Sequence, residues 1–300
     1  ILDYLRILRW LREGKPDIVY VNSMGTPWLL PMVFLAFGRR KVVWAVHDVV
    51  DHDNKSRWSV DAIYKRSIAR WSGACHLLSR NQKESFERLH PLRTSYYAPH
   101  PPRAFGPGTA QPPTDKIRFF FFGAIQWYKG VDLLIEAAQL LWERGVRDFE
   151  VVVAGYCADW ETYASRIRIP EIFKLDIRHI DNAQIPDAYL GSHYVVLPYR
   201  DVTQSGPLSS ALVYHRPVIV SDLKGFQEFI RPGGTAWTFA VEDAADLSAR
   251  MEEAVRGGQA RWEEARAHVQ ELSEGVFSEK ACADAYAEMF RRHAALSGRG

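Results

Sequence analysis

The stretch "LPYRDVTQSGPLSSALVYHRPVIVSD", residues 197–222, decides how the chain folds. A strand-like run leads into it and stops at Pro198. A polar loop with Gly206 and Pro207 follows, then a short helical segment, Pro217 and a second strand-like run, Val218–Val220. Strand, loop, helix and strand make a βαβ unit. Its loop leaves the carboxyl edge of a parallel sheet, where ligands of open α/β sheets bind. Pro207 suits the first turn of a helix, because its ring presets φ and its missing N–H would have no helical partner there. Gly206 permits close backbone approach. The amides of residues 204–206 and of Leu208 are therefore placed to form an anion nest without a charged side chain. The same residues also fit an ordinary turn between strand and helix.

Working outward, the same alternation runs through the whole chain. "DIVYVN", "KVVWAVHD", "ACHLLS" and "TSYYAP" read as strands. Between them lie helical patterns such as "SVDAIYKRSIARWS" and "RNQKESFERLH". The stretch "APHPPRAFGPGTAQPPTDK", residues 98–116, is too dense in Pro and Gly for regular structure and predicts an interdomain linker over 101–116. A second series follows. "IRFFFFG", "FEVVVAGY", "LDIRHI", "SHYVVLPY" and "AWTFA" predict strands. "GVDLLIEAAQLLWERG", a segment from about Asp243 to Val255, and "SEKACADAYAEMFRRHAAL" predict helices. Strands alternating with helices imply parallel sheets, hence two α/β doubly wound domains facing a cleft.

The composition agrees with that architecture. The 300 residues suffice for two sizeable cores, and 47% hydrophobic with 25% charged residues is ordinary for a globular chain. A net charge of +2 argues against a dedicated nucleic-acid binder. Cys75, Cys157 and Cys282 lie too far apart in sequence for a metal spacing or a disulfide framework, which points to a reducing compartment. No apolar run reaches the ~18 residues that a membrane span needs. The chain starts at Ile1 inside an amphipathic segment, and we expect residues to be missing before it.

Two further stretches carry chemistry. In "FFFFGAIQWYKGVDLLIEA", residues 119–137, a buried strand ends at Gly123 and a helix begins near Gly130, with Lys129 just before it. A helix N-terminus offers unpaired amides and the positive end of a dipole, and a lysine there adds a full charge suited to phosphate. In "WAVHDVVDHD", His47 ends a strand, and Asp48, Asp51, His52 and Asp53 follow. The spacing is a poor match to a metal site. His47 is placed instead to hydrogen-bond a substrate hydroxyl.

The order and spacing of "GAIQWYKGVDLLIEAAQLL", "IPDAYLGSHYVVLPYRDVTQSGPLSSALVYHRPVIVSDLKGFQEFI" and the closing helix resemble the donor-binding half of glycosyltransferase family 4, a retaining family with the GT-B fold. The resemblance covers residues 117–290. "KPDIVYVNS" and "VVWAVHD" are similar to its acceptor-side domain. It implies two Rossmann-like domains: acceptor-side residues 1–100, rejoined by a returning helix 284–300, and a donor-binding domain over 117–283. It implies transfer of a sugar from a nucleotide-diphosphate sugar to an acceptor hydroxyl of a glycan or lipid-linked acceptor. No metal and no cofactor are implied, and the leaving phosphate takes the acceptor proton. The setting would be cytoplasmic, with peripheral membrane contact, to which Arg39, Arg40 and Lys41 would add a basic surface. Lys129 matches the family lysine that binds the donor diphosphate, and His47 its strand-end histidine; these two are the catalytic candidates. Donor-binding candidates are Gly123, Gln126, Lys129, Gln204, Ser205, Gly206, Leu208 and Ser210.

The chain departs from the family in two places. The arginine common a few residues before the lysine is missing, with Ala124 and Gln126 in that turn. Where many members carry two glutamates, Val202 and Ser210 stand. The "TQSG" loop, Thr203–Gly206, matches a variant subgroup. A non-catalytic protein of this fold that binds a nucleotide sugar or glycan is the alternative. A nucleotide-sugar epimerase is a third reading, for which no carboxylate pair is placed.

Overall fold

The computed structural model describes residues 2–22, 29–49, 60–231 and 234–298. Asp51, His52 and Asp53, the tail of the weak metal pattern, lie outside the described residues. The chain divides into two compact units, Ile1–Pro101 with Glu279–Gly300, and Pro102–Ser278.

The first unit runs α1 (Leu2–Glu13), β1 (Val19–Val21), α2 (Leu29–Phe37), β2 (Val42–Val46), α3 (Val60–Trp71), β3 (Ala74–Leu77), α4 (Arg80–Leu89) and β4 (Ser95–Tyr97). Its sheet is parallel, in the order β1-β2-β3-β4. Every residue of β2 is buried, because the sheet is covered on both faces. Alternation sorts them: Val42, Trp44 and Val46 join a core with Leu30, Ile68 and Phe86, whereas Val43 packs with Ala74 and Met289 on the other face. Met289 belongs to the last helix of the chain, at Glu279–Ser297, which therefore closes this unit. His293 on that helix donates from Nε2 to the Arg40 carbonyl at 2.8 Å.

The basic run 39–41 is bound into this unit. Arg39 donates to the carbonyls of Arg70 and Trp71 at 2.8 and 3.1 Å, and Lys41 Nζ donates to the Pro16 carbonyl at 2.8 Å. Two of the three cations thus fasten loops of the unit together.

The second unit runs β5 (Ile117–Phe122), α5 (Val131–Glu143), β6 (Phe149–Ala154), α6 (Glu161–Ala164), β7 (Phe173–Asp176), α7 (Ile185–Leu190), β8 (Tyr194–Leu197), α8 (Gly206–Val213), β9 (Val218–Ser221), α9 (Lys224–Gln227), β10 (Ala236–Phe239) and α10 (Ala244–Glu274); the closing helix of the first unit is α11. The parallel sheet has the order β7-β6-β5-β8-β9-β10. Chain order reverses between β5 and β8, which pair through Phe119 with Tyr194 and Phe120 with Val195. This is the doubly wound arrangement, with a crevice outside the carboxyl ends of β5 and β8. Phe119, Phe120 and Phe121 are fully buried, each worth about 1.5–3 kcal/mol of transfer free energy.

Two elements differ from the sequence expectation. "LDIRHI" is not a strand to its end: β7 stops at Asp176, where the Arg178 amide turns back onto the Asp176 carbonyl at 3.2 Å. The helix expected to finish near Val255 continues to Glu274, broken at Gly258, whose φ of 58° and ψ of −156° are non-helical. The Pro- and Gly-rich residues 102–115 form neither helix nor strand, yet they are tied to the second unit by side chains of α7 and α8. Among the described residues no helix is long and apolar enough to cross a membrane.

Candidate functional site

A pocket of about 310 Å³ opens at the crevice outside β5 and β8. Each wall has a sequence reason. β5 ends at Gly123, whose φ of +122° suits glycine and carries the chain sharply toward the 3-10 turn Trp127–Lys129. That turn delivers Lys129. A Cβ built at Gly123 would lie 3.3 Å from Lys129 Nζ and 3.6 Å from Pro207 Cγ. The ammonium thus arches over the end of β5 toward the first turn of α8.

Lys129 is half-buried and pairs with no carboxylate among the described residues. Burial pulls its ammonium below the ordinary lysine value. The rings of Tyr128 and Tyr199, centred 5.9 Å from Nζ, are its nearest aromatic partners. The turn that carries Lys129 is clamped by Arg200, which follows β8. Arg200 donates from its amide to the Tyr128 carbonyl at 2.7 Å and from Nη1 to the Trp127 carbonyl at 2.7 Å. Its guanidinium grips Asp132 in the first turn of α5 in bidentate fashion, at 2.9 and 2.8 Å. Burial alone would raise the Asp132 carboxyl, but the Arg200 and Arg166 guanidiniums hold it below its usual range.

The candidates split by location. Gly123, Lys129, Gly206 and Ser210 line the pocket, whereas Gln126, Gln204, Ser205 and Leu208 are not among its lining residues. Ser205 is the N-cap of α8, and its Oγ accepts the Leu208 amide at 3.2 Å. The Leu208 amide, expected in the anion nest, is thus engaged in this cap. Ser210 is buried and donates from Oγ to the Arg103 carbonyl at 3.0 Å. Val202, at the other position where the resembling family carries glutamate, is buried in the apolar core. Neither position presents an acid.

His47 stands in the first unit at the carboxyl end of β2, and its Nε2 donates to Asn22 Oδ1 at 2.9 Å. Burial pulls the imidazole below its ordinary value; Asp48 opposes that and His100 adds to it. Among the described residues, no group of three or more metal-binding side chains comes together.

Sequence reasoning missed Arg103, Phe105, Tyr156, His179 and Asn182, all of which line the pocket. Arg103 and Phe105 were set aside within the linker, and His179 within an overlong strand. The usable signal was the switch-point rule, which directs attention to loops rather than to strand interiors. The lining contains lysine, arginine and histidine side chains and no carboxylate. Chemically, it suits an anion.

Residues 116–256 match the family described as glycosyl transferases group 1. A search of curated proteins finds no match. Solved structures share the fold. Sucrose-phosphate synthase from Thermosynechococcus elongatus superposes with a TM-score of 0.79 at 14% identity, covering 98% of this chain and 77% of that one. Anabaena HepE in complex with UDP gives 0.77 at 13% identity, covering 96% and 82%. A variant of S. aureus TarM in complex with fondaparinux, alpha-GlcNAc-glycerol and UDP gives 0.75 at 15% identity. Against TarM the chain covers 94% of its own length and spans only 58% of the other. The fold is GT-B: two α/β units, each with a parallel sheet and helices.

Proposed function

We propose that this chain is a retaining glycosyltransferase of the family 4 type. It moves a sugar from a nucleotide-diphosphate sugar to an acceptor hydroxyl on a glycan or lipid-linked glycan, without a metal ion. The observation that carries this reading is Lys129: a half-buried ammonium, without a carboxylate partner among the described residues, beside a pocket whose lining holds no acid. The group 1 glycosyltransferase match over 116–256 supports it. So does the binding of UDP by HepE and TarM, which share the fold.

In this mechanism the bond from the anomeric carbon to the diphosphate oxygen breaks, and the acceptor oxygen bonds to the same face of that carbon. The acceptor proton goes to the leaving diphosphate. Lys129 and the Gly206 amide stabilise the charge that develops there, the kind of preorganised electrostatic contribution that is usually the largest in catalysis. His47, whose imidazole is pulled below its ordinary value by partial burial, is assigned a hydrogen bond to the transferred sugar or the acceptor. The proposed setting is cytoplasmic, at or near a membrane surface.

The test is to incubate the protein with nucleotide sugars and glycan acceptors, with and without a chelator. Nucleoside diphosphate release and the anomeric configuration of the product are then followed. Inversion at the anomeric carbon, or strict dependence on added magnesium or manganese, would overturn the finer reading. A second reading, donor binding without transfer, is favoured by one observation: Val202 and Ser210 present no carboxylate. Tight donor binding with neither transfer nor hydrolysis would establish it.

A further inference from the structure

The pocket has a second cation, and it comes from the stretch that the sequence marks as a linker. Arg103 lines the pocket together with Lys129, Gly206 and Pro207. A Cβ built at Gly206 would lie 3.5 Å from Arg103 Nη1 and 3.9 Å from its Cδ. The two cations therefore flank the start of α8, Arg103 over Gly206 and Lys129 over Gly123. Like Lys129, the Arg103 guanidinium forms no ion pair among the described residues; it lies 5.0 Å from the centre of the Phe105 ring.

The main chain around Arg103 is fixed even though its side chain is exposed. The Arg103 amide donates to Ser209 Oγ and its carbonyl accepts from Ser210 Oγ, both at 3.0 Å. The Phe105 amide donates to the Tyr214 hydroxyl at 2.8 Å, and that hydroxyl donates to the Gly106 carbonyl at 3.1 Å. Further on, Asp187 Oδ1 accepts the amides of Thr109 and Ala110 at 2.6 and 2.9 Å. Residues 103–110 are thus strapped along α7 and α8 by side chains that serve the backbone of this segment. Such an arrangement fixes where the guanidinium begins and leaves its donors available.

We propose that Arg103 is the second diphosphate-binding cation, with Ser209 and Ser210 as the residues that position it. The proposal rests on the nucleotide-sugar reading above. It accounts for the turn at Ala124 and Gln126, where no arginine stands. It also accounts for Ser210, whose hydroxyl holds the arginine's main chain instead of meeting a ligand. The diphosphate of a nucleotide sugar carries two negative charges, and two cations beside the first turn of α8 match them. Planar guanidinium donors also suit two oxygens at once.

The experiment is calorimetric titration of the wild-type chain, Arg103→Gln, Arg103→Lys and Ser210→Ala with the four common ribonucleoside diphosphates. The matching uncharged nucleosides are titrated alongside by NMR, and thermal melts verify folding. For the diphosphate that the wild type binds, Arg103→Gln should lose about tenfold or more, the size of one charge-assisted hydrogen bond. Nucleoside affinity should stay within about twofold, Arg103→Lys should recover part of the loss, and Ser210→Ala should lose less than Arg103→Gln. Unchanged diphosphate affinity in a folded Arg103→Gln protein would overturn the assignment while leaving the nucleotide-sugar reading intact. An equal loss for nucleoside and diphosphate would also overturn it. If the folded wild type binds no nucleoside diphosphate, the nucleotide-sugar reading fails and this proposal fails with it.

Discussion

Replacing Lys129 by Met should weaken nucleoside diphosphate binding and leave the free protein at least as stable as before. Both halves follow from the surroundings of the ammonium. In the free protein it is half-buried, its pKa is pulled down by burial, and no carboxylate among the described residues pairs with it. The cost of removing water from the charge is therefore already present before any ligand arrives. A phosphate entering beside it returns favourable Coulomb energy with little further desolvation of the lysine, about 4 kcal/mol at 4 Å and an effective dielectric of 20. Measured charge-assisted hydrogen bonds retain about 1.5–3 kcal/mol of such energy, or roughly a 10- to 150-fold change in affinity. Met keeps most of the stem and removes the charge, so the melting temperature should hold or rise. The sign with pH is also set. Because the free-protein pKa is lowered and a bound phosphate raises it, affinity falls as pH climbs through the lowered value, below that of an ordinary lysine. Lys129→Arg, which stays charged, should keep its affinity over that range. Calorimetric titration of the three proteins across alkaline pH, with thermal melts, tests each part. If folded Lys129→Met binds as tightly as the parent, or melts well below it, the reasoning is refuted.

The other predictions concern the frame around that lysine and the response to acid. Gly123→Ala forces a side chain into positive φ and crowds Lys129 Nζ at 3.3 Å. It should cost about 1–3 kcal/mol in denaturant melts and weaken nucleotide binding at the same time. Arg200→Gln removes the bidentate partner of the Asp132 carboxylate, whose side chain is 12% exposed, and leaves it only Arg166 at 3.4 Å, so it should cost about 1.5–3 kcal/mol. Adding Asp132→Asn should restore much of that, and a strictly additive double variant would show that the pair is not coupled. His76 and His193 are each held near a pKa of about 4 by burial, one in each unit. A lowered folded-state pKa means that the unfolded chain takes up the proton first. Stability is therefore fully present above about pH 6.5 and declines as pH falls toward about 4, by on the order of 2 kcal/mol per histidine at pH 5. Urea melts that are unchanged between pH 7.5 and pH 5 would contradict this.

Much of the fold was legible because its signals are local. Continuous apolar runs such as "FFFF" and "VVVA" occur where a parallel sheet is covered on both faces, and glycine and proline punctuate the turns. The errors came where one local signal stood for a tertiary fact. Apolar spacing in "LDIRHI" could not reveal that the Arg178 amide turns back onto Asp176. The helix expected to end near Val255 resumes past the break at Gly258, with Trp262 donating to the His193 carbonyl at 2.8 Å.

By itself the sequence determined the two alternating α/β series and the βα turn that carries Lys129, since strand and helix periodicity need only near neighbours. It also determined a glycine at the end of β5 and a proline in the first turn of α8. Tertiary structure alone decided the strand order, and with it that the ends of β5 and β8 share one crevice. It decided as well that the Leu208 amide belongs to the Ser205 cap, and that Arg103 stands at the pocket. The hydrogen bonds that hold Arg103 join residues 106 and 107 apart in sequence. A proline-rich segment has no periodicity from which such partners could be read. Only the packed surface of α8, which offers Ser209 and Ser210 side by side, specifies where that segment lies and which charge it brings.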